Sequence, residues 1–576
     1  MKAFTSPIAL SIICINSVLL LACSSVETSE SDKKSRTASQ PALNSQLQQR
    51  KAIEAKQLYP SQEVAQAQVM TDATTKSVMR AKQRSPVLAQ YPAQYQQDNR
   101  ENYQHFSDND ILRTADTPVS TFSVDVDSGA YSNVRRFLNQ GQLPRKDAVR
   151  AEELINYFSY DYAYPENKNQ PFTINTEIAP TPWNKHSYLL HIGLQAYQSN
   201  NNEARPASNL VFLVDVSGSM HSDRKLPLLK SGLKLLVNNL NENDSISIVT
   251  YAGSTAVVLK PTKGNKTATI SMALDQLAAG GSTNGASGIE LAYQMAQQSF
   301  IKNGVNRIIL ATDGDFNMGV TNFDALKEIV EQKRKTGISL TTLGFGRGNY
   351  NDHLMEQLAD AGNGNYSYID NLNEARKVLV EEMNSTLNTL ANDVKIQIEF
   401  NPEQVAEYRL IGYENRKLKQ QDFNNDKVDA GDIGENHTVT ALYEITLTDS
   451  AVKQFDASRY VKNINSNTVP DKPANLSNEL AYLRLRYKAD SQSDSQLIEK
   501  PIYKNEMITD IKSASDNFKF SASVAAFAQQ LRGAKHLQKF NYDDILELAK
   551  ASKGKDEFGY RGEFIQLVSL ARALDT

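Results

Sequence analysis

The feature that most constrains the chain is a series of short, unbroken apolar segments set between amphipathic ones across residues 207–390. Val211–Asp215 and Arg307–Thr312 lack the polar alternation of a half-solvated strand, so they read as strands buried on both faces. Ser245–Tyr251, 339–345 and 365–369 read as strands too, and Ala256–Leu259 as a short one after a glycine turn. Helical periodicity over 226–240, 267–277, 285–300, 322–335, 351–360 and 371–388 fills the intervals. This alternation predicts an α/β fold: a doubly wound, mainly parallel sheet of Rossmann-like type, covered by helices on both faces. Ligands of such sheets bind outside the carboxyl ends of the strands, where the strand order reverses.

Three loops fall on that face. They read Asp215-Val216-Ser217-Gly218-Ser219, Gly280-Gly281-Ser282-Thr283-Asn284-Gly285 and Thr312-Asp313-Gly314-Asp315. Each offers oxygen donors beside glycines that let the backbone turn sharply. Neutral hydroxyls with two aspartates suit a hard cation, which takes about six oxygens and keeps some waters. With few anionic ligands bonded to it directly, the cation stays electron-poor and can accept a carboxylate from outside.

Asp215, Ser217 and Ser219, with Thr283 and Asp313, are similar residue for residue to the metal-ion-dependent adhesion site of the von Willebrand factor A domain. The resemblance implies that Ser217, Ser219 and Thr283 bind Mg²⁺ (or Mn²⁺ or Ca²⁺) directly. Asp215 and Asp313 would act mainly through waters, with Thr283 and Asp313 able to exchange roles. It implies a protein partner that offers a carboxylate to the metal, met by a rim of His221, Asn284 and Asp315. The flanking regions, over about 115–576, resemble a bacterial lipoprotein group of A-domain proteins, the YfbK-like family.

The rest of the chain divides around that unit. Residues 1–22 read as a lipoprotein signal peptide: Lys2 opens it, and 8–22 is apolar but for Ser11, Asn16 and Ser17, too short to span a bilayer comfortably. It ends Leu20-Leu21-Ala22-Cys23, which resembles a lipobox with Cys23 as the lipidated residue. Ser24 then implies sorting to the outer membrane, so a lipid-anchored place in the cell envelope is expected, on the periplasmic or the surface face. Residues 23–115, rich in Gln, Ser, Ala, Lys and Thr, read as a flexible tether. Residues 116–206 read as an α+β block with helices at 130–140 and 147–160, and 391–513 as a β-sandwich-like block. Residues 514–576 read as a helical segment.

Composition narrows the function. Cys14 and Cys23 are the two cysteines, so the body holds no disulfide and no thiolate metal site. A net charge of −4 without a long basic run gives no footprint for nucleic acid. Asp125-Val126-Asp127-Ser128 reads as a turn with Asx hydrogen bonds, since Gly129 stands where a phosphotransfer site needs Thr or Val. Ser219 and His221 lack a nucleophile-elbow context. Asp422, Asn424 and Asp426 begin like a calcium loop but continue with Lys427 and Ile433 where Gly and Glu are required. Trp183 reads as a packing anchor between blocks, and the basic residues 333–335 as a solvated helix face. The expectation is a membrane-anchored binding protein that is not an enzyme. The alternatives are an assembly adaptor whose A domain is structural, told apart by partner binding to the C-terminal block alone, and a metal-assisted hydrolase.

Overall fold

The computed structural model describes residues 100–575 except 125–126, 168, 200–204, 282–284, 315–322, 383–384, 386, 457–475 and 491–492. The described chain opens with β1 (Leu112–Arg113), β2 (Val119–Ser123), α1 (Gly129–Asn139), α2 (Ala151–Asn156) and a hairpin of β3 (Phe172–Thr181) and β4 (Asn184–Ala196). The α/β unit follows as β5 (Ser208–Asp215), α3 (Leu226–Val237), β6 (Ser245–Tyr251), β7 (Thr255–Lys263), α4 (Thr267–Asp275), α5 (Gly285–Gln298), β8 (Val305–Thr312), α6 (Phe323–Arg334), β9 (Ser339–Phe345), α7 (Asp352–Ala361), β10 (Tyr366–Ile369) and α8 (Leu372–Arg376). Then come β11 (Thr389–Phe400), β12 (Val405–Ile411), β13 (Gly431–Gly434), β14 (Thr438–Leu447), β15 (Glu479–Lys488) and β16 (Gln496–Tyr503). Three helices close the chain: α9 (Asp516–Leu531), α10 (Tyr542–Ala551) and α11 (Tyr560–Leu574).

The α/β sheet runs β10-β9-β8-β5-β6-β7, parallel throughout except for the antiparallel edge strand β7. Unbroken apolar strands produce this because both faces are covered. Leu210, Phe212 and Val214 meet Leu229, Leu233 and Leu236 of α3 on one side. Val211 and Leu213 meet Ile289 and Ala292 of α5 on the other. Each of the Val, Leu, Ile and Phe side chains contributes roughly 1.5–3 kcal/mol on burial. Strand order reverses between β5 and β8, so the acids that end those strands, Asp215 and Asp313, face one crevice.

Several expected elements differ in extent. The short strand at 256–259 is the longer edge strand β7. The helix expected over 371–388 ends at Arg376 and continues as a π-turn, Lys377–Glu381. The helix at 147–160 shrinks to α2, because the Tyr160 hydroxyl donates to the Ile155 carbonyl at 2.8 Å and takes an acceptor that the next turn would have used. The expected tether is fixed from residue 100. Arg100 donates its N–H to the Gly348 carbonyl at 2.8 Å, and Asn102 its N–H to that of Tyr350 at 2.9 Å. Glu101, in a polar stretch, is buried against Arg136 at 2.9 Å.

The blocks expected separately at 116–206 and 391–513 share their sheets. One sheet runs β1-β12-β14-β4-β3, and the other β13-β11-β15-β16 with β2 also on β11. Leu190 of β4 pairs with Tyr443 of β14, and Phe122 of β2 with Ile396 of β11. The inner faces close a core of Ile396, Ile398, Phe400, Leu483 and Leu485. The α/β unit is thus inserted between strands of one sandwich. The C-terminal helices cover α1 and α2 through Phe158, Phe520 and Phe564, and Trp183 packs in the same cluster with its Nε1–H donating to Glu444 at 3.2 Å.

Buried ion pairs fasten α1 and α2 to the α/β unit. Arg135, fully buried, pairs with Asp370 after β10, with Glu374 of α8 at 2.7 Å and with Glu563 of α11 at 3.0 Å. Arg150 pairs with Glu153 and, at 2.6 Å, with Asp352 of α7. Removing one member of such a pair strands the others in low dielectric. Arg135→Met is therefore expected to lower stability by about 3–5 kcal/mol, read from the urea midpoint. A shift near zero would show the pairs to be dispensable.

Candidate metal centre

Asp215 is built into place by backbone and hydroxyl groups. β5 delivers it, fully buried, beside β8. Its Oδ1 accepts the Ser217 N–H at 2.8 Å, an Asx turn that curls the loop back over the strand end. Its Oδ2 accepts the Thr312 hydroxyl at 2.8 Å, and that hydroxyl oxygen accepts the Gly314 N–H at 3.2 Å. Gly314 holds φ +79°, and a Cβ there would strike the backbone nitrogen of Asn351. The second loop is stitched to the first by Gly280 N–H on the Val216 carbonyl (2.7 Å) and Gly218 N–H on the Gly281 carbonyl (3.1 Å).

The hydroxyls of Ser217 and Ser219 lie 2.9 Å apart. Two oxygens on neighbouring vertices of an octahedral Mg²⁺ shell, at roughly 2.1 Å from the ion, are separated by about 3.0 Å. That spacing fits two ligands of one cation. Asp313, directly after the end of β8, is fully buried. Burial raises the Asp215 carboxyl above its usual range; bonds from Ser217 pull the other way, and the charge of Asp313 adds to the rise. Two buried carboxylates with converging hydroxyls make a cradle for positive charge. Among the described residues no group of three or more His, Cys, Asp or Glu side chains forms a metal site.

Asp215, Ser217, Ser219 and Asp313 are thus brought to one crevice. His221 is exposed at the end of the first loop. Thr283, Asn284, Asp315 and Cys23 lie outside the described residues. Sequence reasoning missed Lys225 and Asn349. The Lys225 ammonium donates to Asp313 Oδ2 at 2.7 Å and to Asn349 Oδ1 at 3.3 Å, and Asn349 Nδ2 donates to the same Asp313 oxygen at 3.3 Å. The available signal was a lysine capping the N-terminus of α3, the end of a helix where a cation is disfavoured.

The other acidic motifs are structural. Asp127 accepts the Tyr366 N–H at 2.8 Å and pairs with Arg416 at 3.3 Å, while Asp125 and Val126 lie outside the described residues. Protein cations serve the loop of Asp422 and Asp426: Lys395 donates to the Asn425 carbonyl at 2.7 Å, and Arg486 pairs with Asp426 at 3.1 Å. Arg334, read as solvated, pairs with Asp429 at 2.6 Å.

Family models agree with this architecture. Residues 209–382 match the von Willebrand factor type A domain, 97–191 match a model described as von Willebrand factor, and 385–574 match the C-terminal region of the uncharacterized protein YfbK. The chain is a von Willebrand factor A-domain protein. The uncharacterized protein YfbK of Escherichia coli (strain K12) is 49% identical over 475 residues, covering 81% of this chain and 80% of its own length. The chain belongs to the YfbK family. Rat inter-alpha-trypsin inhibitor heavy chain H3 is 22% identical over 356 residues, 56% of this chain and 40% of its own. Among solved structures, a von Willebrand factor type A protein from Catenulispora acidiphila has 15% identity and a TM-score of 0.40, over 69% of this chain and 89% of that one.

Thr312→Val keeps the shape of the strand end but removes the hydroxyl that Asp215 and Gly314 share. It is expected to destabilise the protein by about 1–3 kcal/mol, measured by urea unfolding; an unchanged midpoint would mean that the hydroxyl does not hold the loop.

Proposed function

We propose that this protein is a lipid-anchored component of the cell envelope that grips a partner protein through a divalent cation and carries out no catalysis. Asp215, Ser217, Ser219, Thr283 and Asp313 hold the ion, Mg²⁺ in the first instance with Mn²⁺ or Ca²⁺ as substitutes. A carboxylate of the partner completes its coordination. The observation that carries the reading is the 2.9 Å approach of the Ser217 and Ser219 hydroxyls above two buried aspartates at the switch point. The absence of a nucleophile–base pair in the sequence of these loops supports binding over catalysis. Protein binding is a frequent role of the A domain, and the exposed face around Ser219 and His221 is open to a partner.

Anchoring rests on Leu20-Leu21-Ala22-Cys23, with Ser24 favouring the outer membrane. Cys23→Ala is expected to move the protein from the membrane fraction to the soluble fraction of fractionated cells; retention in the membrane would refute the anchor. For the metal, Asp215→Ala is expected to weaken Mn²⁺ binding at least tenfold and to abolish chelator-sensitive crosslinks to a partner in native membranes, with the circular dichroism spectrum unchanged. Crosslinks indifferent to both EDTA and the substitution would overturn the reading.

A further inference from the structure

The metal cradle already contains a cation. Lys225 is buried, and its ammonium sits 2.7 Å from Asp313 Oδ2, closed into a triangle by Asn349. The position is shaped for it. Gly346, at φ +80°, leaves the space that the lysine stem fills, and a Cβ on that glycine would collide with Lys225. The ammonium also stands at the N-terminal end of α3, where the helix dipole opposes it. The carboxylate of Asp313 holds it there.

Charge counting gives the consequence. Among the described residues of the cradle, Asp215, accepting hydrogen bonds from Ser217 and Thr312, and Asp313 together bring two negative charges, and Lys225 returns one. A divalent ion bound in this cradle leaves one positive charge in excess. Without the lysine the same ion would be neutralised by the aspartates alone.

We propose that Lys225 is a resident counter-cation of the metal cradle: it keeps the affinity for the metal alone low and makes metal binding depend on an incoming carboxylate. The inference rests on the metal-binding reading above. The lysine repels the ion and attracts the anion, so the ion binds weakly alone, and a carboxylate bonded to the ion is held more firmly and raises the ion's apparent affinity. Reciprocal coupling of this kind typically amounts to about 5–150-fold in affinity.

The test compares the full chain in detergent with Lys225→Met and Lys225→Gln, titrating Mn²⁺ by calorimetry with and without acetate as the carboxylate probe. Wild type is expected to bind Mn²⁺ weakly and to gain affinity when acetate is present. Both variants are expected to bind Mn²⁺ alone about tenfold more tightly and to lose most of the acetate effect. Lys225→Gln retains polar contact with Asp313 and Asn349, so it decides the matter if the methionine variant does not fold. Mn²⁺ affinity unchanged or weakened in the variants, with wild type still binding through Asp215, would overturn the role of Lys225 alone. No Mn²⁺ binding by any of the three proteins would overturn the metal reading, and this inference with it.

Discussion

Burial of Arg135 and Arg150 is the constraint from which the rest of the body follows. Two guanidinium groups in low dielectric must be met by carboxylates, and beside Glu153 of α2 itself these come from other parts of the chain: Asp370, Glu374 and Asp352 from the α/β unit, and Glu563 from the last helix. Apolar packing is non-directional and would tolerate small slides of one layer over another. The planar guanidinium fork is directional. It sets α1 and α2 in one orientation against α7 and α8, and thereby sets the hairpin that β3 and β4 contribute to the sandwich. An inserted α/β unit, joined to its neighbours by chain crossings on both sides, is thus held as part of one body.

The crevice at the switch point inherits that order. Its floor is a strand end buried on both faces, so Asp215 has no freedom beyond what Ser217 and Thr312 allow. Two of its three loops turn at a glycine with positive φ, Gly281 and Gly314. The contribution of hydroxyls and the scarcity of carboxylates are chemically of a piece. In the proposed metal reading few of the ion's direct ligands are anionic, so the ion would keep affinity for oxygen anions from outside.

Much of this was legible in the sequence. Continuous apolar strands ending in Asp215 and Asp313 disclosed the parallel sheet and the carboxyl-end face, because periodicity reports burial directly. The three oxygen-bearing loops followed from that face. Other features depended on partners far along the chain. Nothing local in β2 or β4 says that each pairs with a strand more than 200 residues later, so the sandwich read as two blocks. Glu101 lies in a stretch whose composition argues for a tether, yet one buried arginine fixes it. Lys225, just ahead of α3, drew no attention in the sequence. Its role depends on Asp313 and Asn349, and no pattern within its own segment encodes them.

The short ladder between residues 100–102 and the loop of Gly348 to Tyr350 has a mechanical meaning. Arg100 and Asn102 donate to Gly348 and Tyr350, and the Glu101 carboxylate accepts the Gly348 N–H at 2.9 Å. Asn349, between those two residues, is a partner of Asp313. Tension applied to the chain at residue 100 therefore loads the backbone beside the cation cradle before it stretches any core strand. Strain entering at residue 100 would thus be felt by the same six-residue loop, 346–351, that carries Asn349 to Asp313.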